Sequence, residues 1–267
     1  MMLTHRPALP LLSIVAFVFT LAGANLCAAQ EAAQEGAPES SLDKKIYLIG
    51  NSLTWDCLPG LLAGDVQWHV DCGKHLQFIY DQPAEPCVKT SVIWPEALKA
   101  KQYDLLCVQP HVGTTLDEDV AVISQWLDLQ PTAILILHTG WSRAADFETQ
   151  YHAGVAEQRM AHTPEYFELL SNRLAEKYPD RQIRSTHAID VLDEIWHDIE
   201  NSHAPFQSFT ELYRDNIHMK PQVGRYLMHN LMRIALGQPR SEQGFQIDAK
   251  QKEYLDQKLT ALAPAAL

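Results

Sequence analysis

The sequence predicts an α/β fold in which a parallel sheet is covered by helices on both faces. Short apolar runs that favour strands, such as Lys45–Gly50 and Leu105–Val108, alternate along the chain with longer segments of helical periodicity. These runs are almost continuously apolar, which is typical of strands buried on both faces. Alternation with connections of this length favours right-handed crossovers, and therefore a parallel sheet between helical layers.

Five strands are predicted, and each has its own signal. The first and third are the apolar runs already named, and the fourth, 133–137, is similar. The second alternates Val66, Trp68 and Val70 with polar residues, which is the period of a strand. The last is less apolar, so we expect it at an edge of the sheet. The predicted strands are 45–50, 66–71, 105–108, 133–137 and 182–186.

The predicted helices fill the intervals between the strands. Prolines near the start support the helical turn at 58–63 and the helix at 94–101. Apolar residues on one face support the helix at 117–130. Residues 77–92 have two prolines and little periodicity, so we expect a loop there, and the polar segment 144–160 is expected to be a helical excursion. The remaining helices are predicted at 163–178, 188–200, 222–236 and 248–262.

The first 42 residues differ in character from the rest of the chain. Residues 1–29 carry two basic side chains, His5 and Arg6, then an apolar run and then small residues, which is the order of a secretory signal peptide. A membrane anchor is the alternative, although the run is shorter than the roughly 20 residues of a spanning helix. Residues 30–42 are predicted to be a disordered leader. Residues 43–267 form one predicted domain.

The net charge and the N-terminal segment limit the classes of partner and the cellular location that we expect. The chain has a formal net charge of −12, which argues against nucleic acid and against an anionic membrane surface as partners. After removal of the signal peptide we expect no insertion into a membrane. The predicted location is therefore secreted or periplasmic.

Four of the five cysteines lie beyond the predicted signal peptide. An even number of cysteines in an exported protein suggests disulfide bonding. Cys107 lies within an apolar strand, where a buried free thiol is the more common state. The expected bridge is therefore among Cys57, Cys72 and Cys87, and the sequence does not choose the pair. A zinc site is the rival interpretation, but the chain has no C-x-x-C spacing.

Chemically useful residues follow several of the predicted strands. Ser52 comes after the first strand, Gly73 after the second, and Gln109 and His111 after the third. His138 and Trp141 follow the fourth. Because ligands in such sheets bind beyond the carboxyl ends of the strands, we expect these residues to border one site.

A base for Ser52 stands near the other end of the chain. A serine hydroxyl is a weak nucleophile unless a base accepts its proton and a third group orients that base. Asp215 and His218 are three residues apart, so a single turn can place the carboxylate on the imidazole. Alone, each motif is weak, since Asn, Ser and Asp also begin turns and helices. Together they predict a Ser52–His218–Asp215 triad.

These motifs resemble those of the SGNH (GDSL-like) hydrolases. The run Gly50-Asn51-Ser52-Leu53-Thr54 is similar to the first block of that family, and Asp215-Asn216-Ile217-His218 is similar to its last block, D-x-x-H. The segment 103–108 resembles the strand that precedes the third block. The resemblance implies a flavodoxin-like three-layer α/β/α fold and a metal-independent serine esterase acting on acyl esters of sugars, lipids or small alcohols.

One part of the family pattern is missing. The resemblance implies an oxyanion hole built from the N–H groups of Ser52 and a glycine, for which Gly73 is the candidate, and from an Asn side chain of a G-x-N-D block. The loop after the third strand reads Gln109-Pro110-His111-Val112-Gly113 and contains no Asn. Gln109 or His111 is the expected replacement. Loss of one such donor costs on the order of 100-fold or more in rate.

The expected function is ester hydrolysis without a cofactor. The substrate would be an acyl, favoured as acetyl, ester of a carbohydrate or small molecule, with His138 and Trp141 lining its pocket. No metal is expected, since the histidines show no H-E-x-x-H or similar pair. A catalytically impaired protein of the same fold that binds carbohydrate or acts as a scaffold is the alternative. Phosphodiester or sulfate-ester hydrolysis would need metal ligands or an anion-binding arginine cluster, and the loops show neither clearly; Arg143 and Arg214 are the only arginine candidates near the predicted site.

Overall fold

A five-stranded parallel sheet forms the centre of the protein. The computed structural model describes residues 43–262, and the predicted signal peptide and leader lie outside them. The strands are β1 (Lys45–Gly50), β2 (Asp65–Val70), β3 (Leu105–Val108), β4 (Ile134–Leu137) and β5 (Ile183–Ser185). Their spatial order is β2-β1-β3-β4-β5, and every neighbouring pair is parallel. This is the flavodoxin-like order, so the predicted α/β class and topology are confirmed.

Nine α-helices connect and cover these strands in the described part of the chain. They are α1 (Ser52–Asp56), α2 (Leu76–Asp81), α3 (Trp94–Ala100), α4 (Leu116–Leu129), α5 (Phe147–Tyr151), α6 (Pro164–Lys177), α7 (Ala188–Glu200), α8 (Val223–Ala235) and α9 (Ala249–Leu262). Their main mutual contacts fall into separate sets. Helices α2, α3, α4 and α6 pack together, whereas α1, α8 and α9 form a second set and α5 packs on α7. Helices therefore form layers on both faces of the sheet, as expected for a three-layer α/β/α fold.

The central strands are buried because both of their faces meet helices. Ile46 to Ile49 of β1 and the whole of β3 are buried, which matches their continuous apolar sequence. On one face of β1 the Tyr47 ring packs against Tyr103. In β3, the Cys107 thiol lies 3.8 Å from the Met232 sulfur of α8. Strand β5 is half-buried and ends the sheet, so its predicted edge position is confirmed.

Two short helices replace segments that were expected to be irregular. Helix α1 begins directly after β1, where no helix was predicted, and α2 lies within the predicted loop at 77–92. Both begin at a side-chain cap: Asn51 accepts from the Leu53 N–H and His75 accepts from the Phe78 N–H. With five and six residues they are too short to show a helical period. The expected excursion at 144–160 contains only α5 and a 3-10 turn at 156–158.

The cysteines are divided between one bridge and two free thiols. Cys72 and Cys87 form a disulfide with a Cα–Cα distance of 5.6 Å, while Cys57 and Cys107 are free and buried. The expectation of a bridge among Cys57, Cys72 and Cys87, with Cys107 free, is confirmed. A zinc site on these cysteines is wrong, because the bridged pair has no thiolate to offer a metal. The bridge closes the loop that follows β2, next to Gly73.

The helices of the described residues are too short or too polar for a transmembrane segment. Within residues 43–262, none is long and apolar enough to cross a bilayer.

Candidate active site

The candidate site lies at the point in the sheet where the order of the strands changes direction. From β1 the chain moves to β2 on one side, and then crosses to β3 on the other side of β1. The crevice between the carboxyl ends of β1 and β3 is the switch point at which this fold binds ligands. Ser52 follows β1 there, and Gln109 follows β3.

Gly50 allows the turn after β1 to form. A Cβ atom at position 50 would lie 2.2 Å from the Thr54 hydroxyl oxygen and 2.8 Å from the Gln109 Cβ. Both neighbours are buried, so they have little room to move. Only glycine fits this position, where the last residue of β1 packs directly against the residue that follows β3.

Asn51 presents the serine by capping the helix that Ser52 begins. Its Oδ1 accepts from the Leu53 N–H at 2.9 Å, and its Nδ2 donates to the Lys74 carbonyl at 3.3 Å. The second bond fastens the Ser52 turn to the loop that carries Gly73. Ser52 is thus the first residue of α1, and its own N–H is one of the groups that a helix leaves without an internal partner.

Ser52, His218 and Asp215 form a continuous chain of hydrogen bonds. The Ser52 Oγ and the His218 Nε2 are 2.9 Å apart. On the other side of the ring, the His218 Nδ1 lies 3.0 Å from the Asp215 Oδ2. If Nδ1 carries the proton, it donates to the carboxylate, and Nε2 is left to accept from the serine hydroxyl. The structure therefore brings together all three residues of the predicted triad.

A tight turn holds the Asp215 carboxylate against the His218 ring. The turn is closed by an antiparallel bridge between Tyr213 and Met219. Within it, the Asp215 Oδ1 accepts from the backbone N–H groups of Ile217, at 3.0 Å, and His218, at 2.8 Å. Burial would raise the pKa of Asp215, but these two N–H groups and the imidazole outweigh it and hold that pKa well below its ordinary value. The carboxylate is therefore charged at neutral pH and favours the tautomer described above.

The base-bearing turn is anchored to the helix that carries the serine. The Asp56 side chain at the end of α1 is fully buried, accepts from the Met219 N–H at 2.7 Å and pairs with Arg225 of α8 at 2.8 Å. Burial raises the Asp56 pKa, and the Met219 N–H and the guanidinium oppose that shift. Because Met219 follows His218 directly, this contact fixes the distance between base and nucleophile.

Trp141 anchors the same turn from the opposite side. Its Nε1 donates to the Ile217 carbonyl at 2.7 Å, and nearby the Ala144 N–H donates to the Asn216 carbonyl at 3.0 Å. The indole is fully buried. The expected place of Trp141 in a substrate pocket is therefore wrong: the ring is inaccessible to a sugar, and its contact is with the backbone of the turn.

His138 also lies inside the protein and not in a pocket wall. It is fully buried, with Nδ1 2.9 Å from the Thr186 hydroxyl and Nε2 3.3 Å from the Cys57 thiol. Burial lowers its pKa to about 4, so the ring is neutral at physiological pH. The expectation that it lines the pocket is corrected to a role in connecting β4, β5 and the end of α1.

Gln109 supports the serine turn, and its amide is not directed at a substrate. Its Oε1 accepts from the Asn51 N–H at 3.1 Å and from the Thr54 hydroxyl at 3.2 Å, and its Nε2 donates to the Pro110 carbonyl at 2.8 Å. The side chain is fully buried under α1. The expectation that Gln109 donates to an oxyanion is therefore not supported by its contacts.

His111 keeps a ring nitrogen without a partner. Its Nδ1 is buried and makes no hydrogen bond with any of residues 43–262, and the centroid of its ring lies 5.4 Å from that of the His162 ring. Burial, followed by the nearby His75, lowers the pKa of His111 to about 4. A neutral imidazole can still donate one hydrogen bond, so His111 remains a candidate oxyanion donor.

Gly73 lies in the exposed turn after β2 with a backbone conformation that favours glycine. Its φ is +70°, and apart from its two neighbours in the chain no described residue has an atom within 4 Å of the position of an added Cβ. The preceding bridge at Cys72 and the bond from Asn51 to Lys74 hold both sides of this turn.

The described residues contain one group with the spacing of metal ligands, and it is separate from Ser52. It consists of His152, Asp193 and His197, on α7 and next to the end of α5. No residue of the triad belongs to it.

The sequence did not predict that Asp56 and Trp141 would anchor the turn that carries His218. Asp56 had a weak signal, because a carboxylate four residues after Ser52 stands on one face of the same short helix. Its partner, the Met219 N–H, is a backbone group and leaves no trace in the sequence. The bond from Trp141 to the Ile217 carbonyl is hidden for the same reason.

Comparison with known proteins finds similarity in fold alone. No family model and no curated relative matches the chain. Among solved structures, a DUF4886 family protein from Bacteroides uniformis is 17% identical, with a TM-score of 0.49 and coverage of 82% of this chain and 94% of that one. A protein described as a GDSL-like lipase from Parabacteroides merdae is 15% identical, with a TM-score of 0.47 and coverage of 73% and 97%.

A third similar structure is a member of the lipolytic protein G-D-S-L family from Veillonella parvula. It is 12% identical, with a TM-score of 0.41 and coverage of 70% of this chain and 94% of that one.

Proposed function

We propose that this protein is a serine esterase that uses Ser52 as nucleophile, His218 as general base and Asp215 as the group that orients the base. One observation carries the proposal: the Ser52 Oγ lies 2.9 Å from the His218 Nε2, although 166 positions separate the two residues in sequence. The turn contacts described above hold this pair in place from both sides. A serine within hydrogen-bond reach of an oriented imidazole is the arrangement that activates a hydroxyl for acyl transfer.

The reaction would proceed through an acyl-enzyme. As the Ser52 Oγ attacks the ester carbonyl, its proton passes to the His218 Nε2, and the Asp215 carboxylate stabilises the imidazolium that forms. His218 then gives that proton to the departing alcohol as the C–O bond breaks. In the second half, water loses a proton to His218 and attacks the acyl carbon; as the bond between the acyl carbon and the Ser52 Oγ breaks, His218 returns the proton to that oxygen and the acid is released.

The oxyanion of each tetrahedral intermediate would accept hydrogen bonds from backbone groups next to the serine. Ser52 is the first residue of α1, so its N–H has no acceptor within the helix, and the Gly73 turn is tied to the serine turn through Asn51 and Lys74. With Gln109 committed elsewhere, His111 is the side chain that we assign as third donor, since its Nδ1 has no partner. A donor of this kind contributes on the order of 100-fold in rate.

A groove beside Gly73 supports a hydroxyl-rich alcohol as leaving group. It has a volume of about 510 Å³ and is lined by Asp71, Lys74, Phe78, Gln82, Ala84 and Glu85. The Phe78 ring offers apolar surface, with the Lys74 ammonium over one of its faces at 4.1 Å, while the carboxylates and the amide offer acceptors and donors for hydroxyls. We therefore favour an acetyl or other short acyl ester of a carbohydrate.

Export of the protein is part of the same proposal. The apolar segment at 11–22 and the basic residues before it are typical of a signal peptide. The bridge between Cys72 and Cys87 supports an oxidising compartment, because structural disulfides are rare in the reducing cytosol.

Ester turnover by the wild type and by Ser52→Ala tests the proposal. We expect the wild type to hydrolyse p-nitrophenyl acetate and acetylated sugars, and a fluorophosphonate probe to label Ser52. Ser52→Ala should lose labelling and at least about 10⁴-fold in kcat. Ser171→Ala, on the outer helix α6, is the matched control and should keep wild-type rates. Equal rates in Ser52→Ala would refute the assignment.

The alternative function would give a different pattern in the same experiments. A catalytically impaired binding protein would not react with the probe and would not hydrolyse any ester of the panel. It would still bind the sugar, and calorimetry on the unlabelled wild type would detect that binding. Substitution of Phe78 by alanine should then weaken sugar binding.

A further inference from the structure

Two histidines and a carboxylate meet on the face of α7, apart from the proposed catalytic residues. Asp193 and His197 lie one helical turn apart on α7, so their side chains project from the same face. His152, at the end of α5, reaches the same place from the neighbouring helix. One ligand atom from each residue lies within 4.8 Å of the other two.

The distances within this group are too long for direct hydrogen bonds. The His152 Nε2 lies 3.8 Å from the Asp193 Oδ1, and the His197 Nδ1 lies 3.5 Å from the Asp193 Oδ2. No described donor bonds the Asp193 Oδ1, although that oxygen is buried. A buried carboxylate oxygen without a donor is costly unless another positive partner approaches it.

The same distances suit a cation held between the three groups. Zinc binds histidine nitrogen at about 2.0–2.1 Å and carboxylate oxygen at about 2.0–2.2 Å, so tetrahedral ligands are about 3.4 Å apart. The two contacts of Asp193 exceed this value by only a few tenths of an ångström, and they run to its two different carboxylate oxygens, so the carboxylate would rotate to bring one oxygen to the metal. Small rotations of the exposed His152 and His197 rings would close the difference.

We propose that His152, Asp193 and His197 form a binding site for a divalent transition-metal ion, with Zn²⁺ as the ion of best fit. Two imidazoles and one carboxylate suit zinc better than Mg²⁺ or Ca²⁺, which prefer oxygen ligands. Asp193 supplies the negative charge of the site, because its acidic neighbours on α7 have other partners: Glu194 pairs with Lys258 at 3.1 Å, and Asp190 lies 3.0 Å from the His187 Nδ1. Water would complete the coordination, because the two histidine side chains are about half exposed, at 54% and 49%.

His197 has a competing contact that the metal would replace. Its Nδ1 lies 3.0 Å from the Asp193 carbonyl oxygen and can donate a proton to it. Metal coordination would use the lone pair of the same nitrogen, so the ring exchanges one neutral hydrogen bond for a stronger bond to a cation. This exchange limits affinity, and we expect micromolar and not nanomolar binding.

The site would join α5 to α7. Residues 144–146, which lead into α5, include the Ala144 N–H that supports the Asn216 carbonyl in the His218 turn. A metal at the end of α5 therefore ties down the segment that supports this turn. Its expected effect is on thermal stability, and no chemical step of the proposed esterase passes through it.

Calorimetric titration of the mature, tag-free protein with ZnCl₂ alone tests the site. We expect one Zn²⁺ per chain, a higher melting temperature in its presence and no comparable effect of MgCl₂. His152→Ala, Asp193→Asn and His197→Ala should each weaken binding by at least about 10-fold, the scale of losing a metal-site interaction. His203→Ala removes an exposed histidine outside the group and should bind as the wild type does.

The outcomes separate the site from general surface binding. Unchanged affinity in all three ligand variants would overturn the proposal, as would absence of binding at about 100 μM Zn²⁺. Asp193→Asn keeps the shape of the side chain, so a loss of binding in a variant with wild-type melting in the absence of zinc cannot be attributed to misfolding. Because the readout is binding, the result does not depend on whether the protein proves to be an esterase.

Discussion

Two aspartate–histidine pairs in this protein have the same sequence separation and the same distance from Nδ1 to a carboxylate oxygen, although their order in the chain is reversed, yet only one of them faces a nucleophile. In the turn that follows Tyr213, the His218 Nδ1 lies 3.0 Å from the Asp215 Oδ2. At the start of α7, the His187 Nδ1 lies 3.0 Å from the Asp190 Oδ2, again across three positions. Both pairs are partly exposed, and both form within a single turn.

The pairs differ in what meets the other side of each ring. The His218 Nε2 contacts the Ser52 hydroxyl, whereas no described residue forms a hydrogen bond with the His187 Nε2. Asp190 also shares its carboxylate with the Tyr151 hydroxyl at 3.3 Å. An aspartate and a histidine at this spacing can therefore pair without a catalytic role. Contact between the other ring nitrogen and a nucleophile distinguishes the His218 pair.

Removal of each imidazole should separate the two pairs most clearly. We expect His218→Ala to lose on the order of 10⁴-fold in kcat on acetyl esters, because the His218 Nε2 is the group positioned to accept the Ser52 proton. His187→Ala, which removes an equivalent ring without a nucleophile, should stay within about 2-fold of wild type. Steady-state hydrolysis of p-nitrophenyl acetate measures both.

The reverse pattern would identify a different base. If His187→Ala lost turnover while His218→Ala kept it, the catalytic crevice would have to lie at the ends of β4 and β5. Equal losses in both variants, with normal melting temperatures, would mean that neither pair acts alone.

The sheet was predictable from sequence because its central strands are buried on both faces. Continuous apolar runs identified β1 and β3 to the residue, and the weak apolar character of β5 identified it as an edge. The short helices α1 and α2 were not predicted from the sequence. Each begins at a polar side-chain cap and ends before a second turn can show periodicity. The residues that surround the serine were therefore harder to place than the strand that leads to it.

The site was predictable only in part, because side-chain direction at a strand end is decided by packing. Ser52, Asp215 and His218 were identified by motif, and the structure supplies their mutual distances. His138 and Trp141 also follow a strand, but both turn inward, where their ring nitrogens find partners across 48 and 76 positions. No local pattern reports contacts at such separations.

Asp56 gives a second test of the difference between the two aspartate–histidine pairs. The turn that carries His218 is anchored by the buried Asp56–Arg225 ion pair, and no such contact is described for His187. Asp56→Ala would leave Arg225 without its carboxylate and free the Met219 N–H, and we expect a loss of about 3 kcal/mol in the free energy of unfolding. Small displacement of His218 should also reduce kcat by on the order of 10²-fold. Urea unfolding and esterase kinetics on the same preparation measure the two effects.

An exposed ion pair serves as the matched control for Asp56. Lys101 and Asp65 pair at 2.6 Å, but the two side chains are 27% and 53% exposed. Asp65→Ala should therefore cost less than about 1 kcal/mol and leave turnover unchanged. If Asp56→Ala were as mild as this control, the buried pair would not be what holds the base in position.

The smallest expected effect concerns the charge of Asp215 and its dependence on pH. Its pKa is lowered in the folded protein from an ordinary value of 3.8, so its contribution to stability is present above about pH 4 and is lost as the pH falls towards the folded value. Since the side chain is 45% exposed, solvent screening should keep this contribution below about 1 kcal/mol. Asp215→Asn cannot lose it, so the difference in unfolding free energy between wild type and variant should shrink between pH 6 and pH 3. A constant difference over that range would show that the carboxylate has the same pKa in the folded and unfolded chains, and that the turn N–H groups do not stabilise its charge.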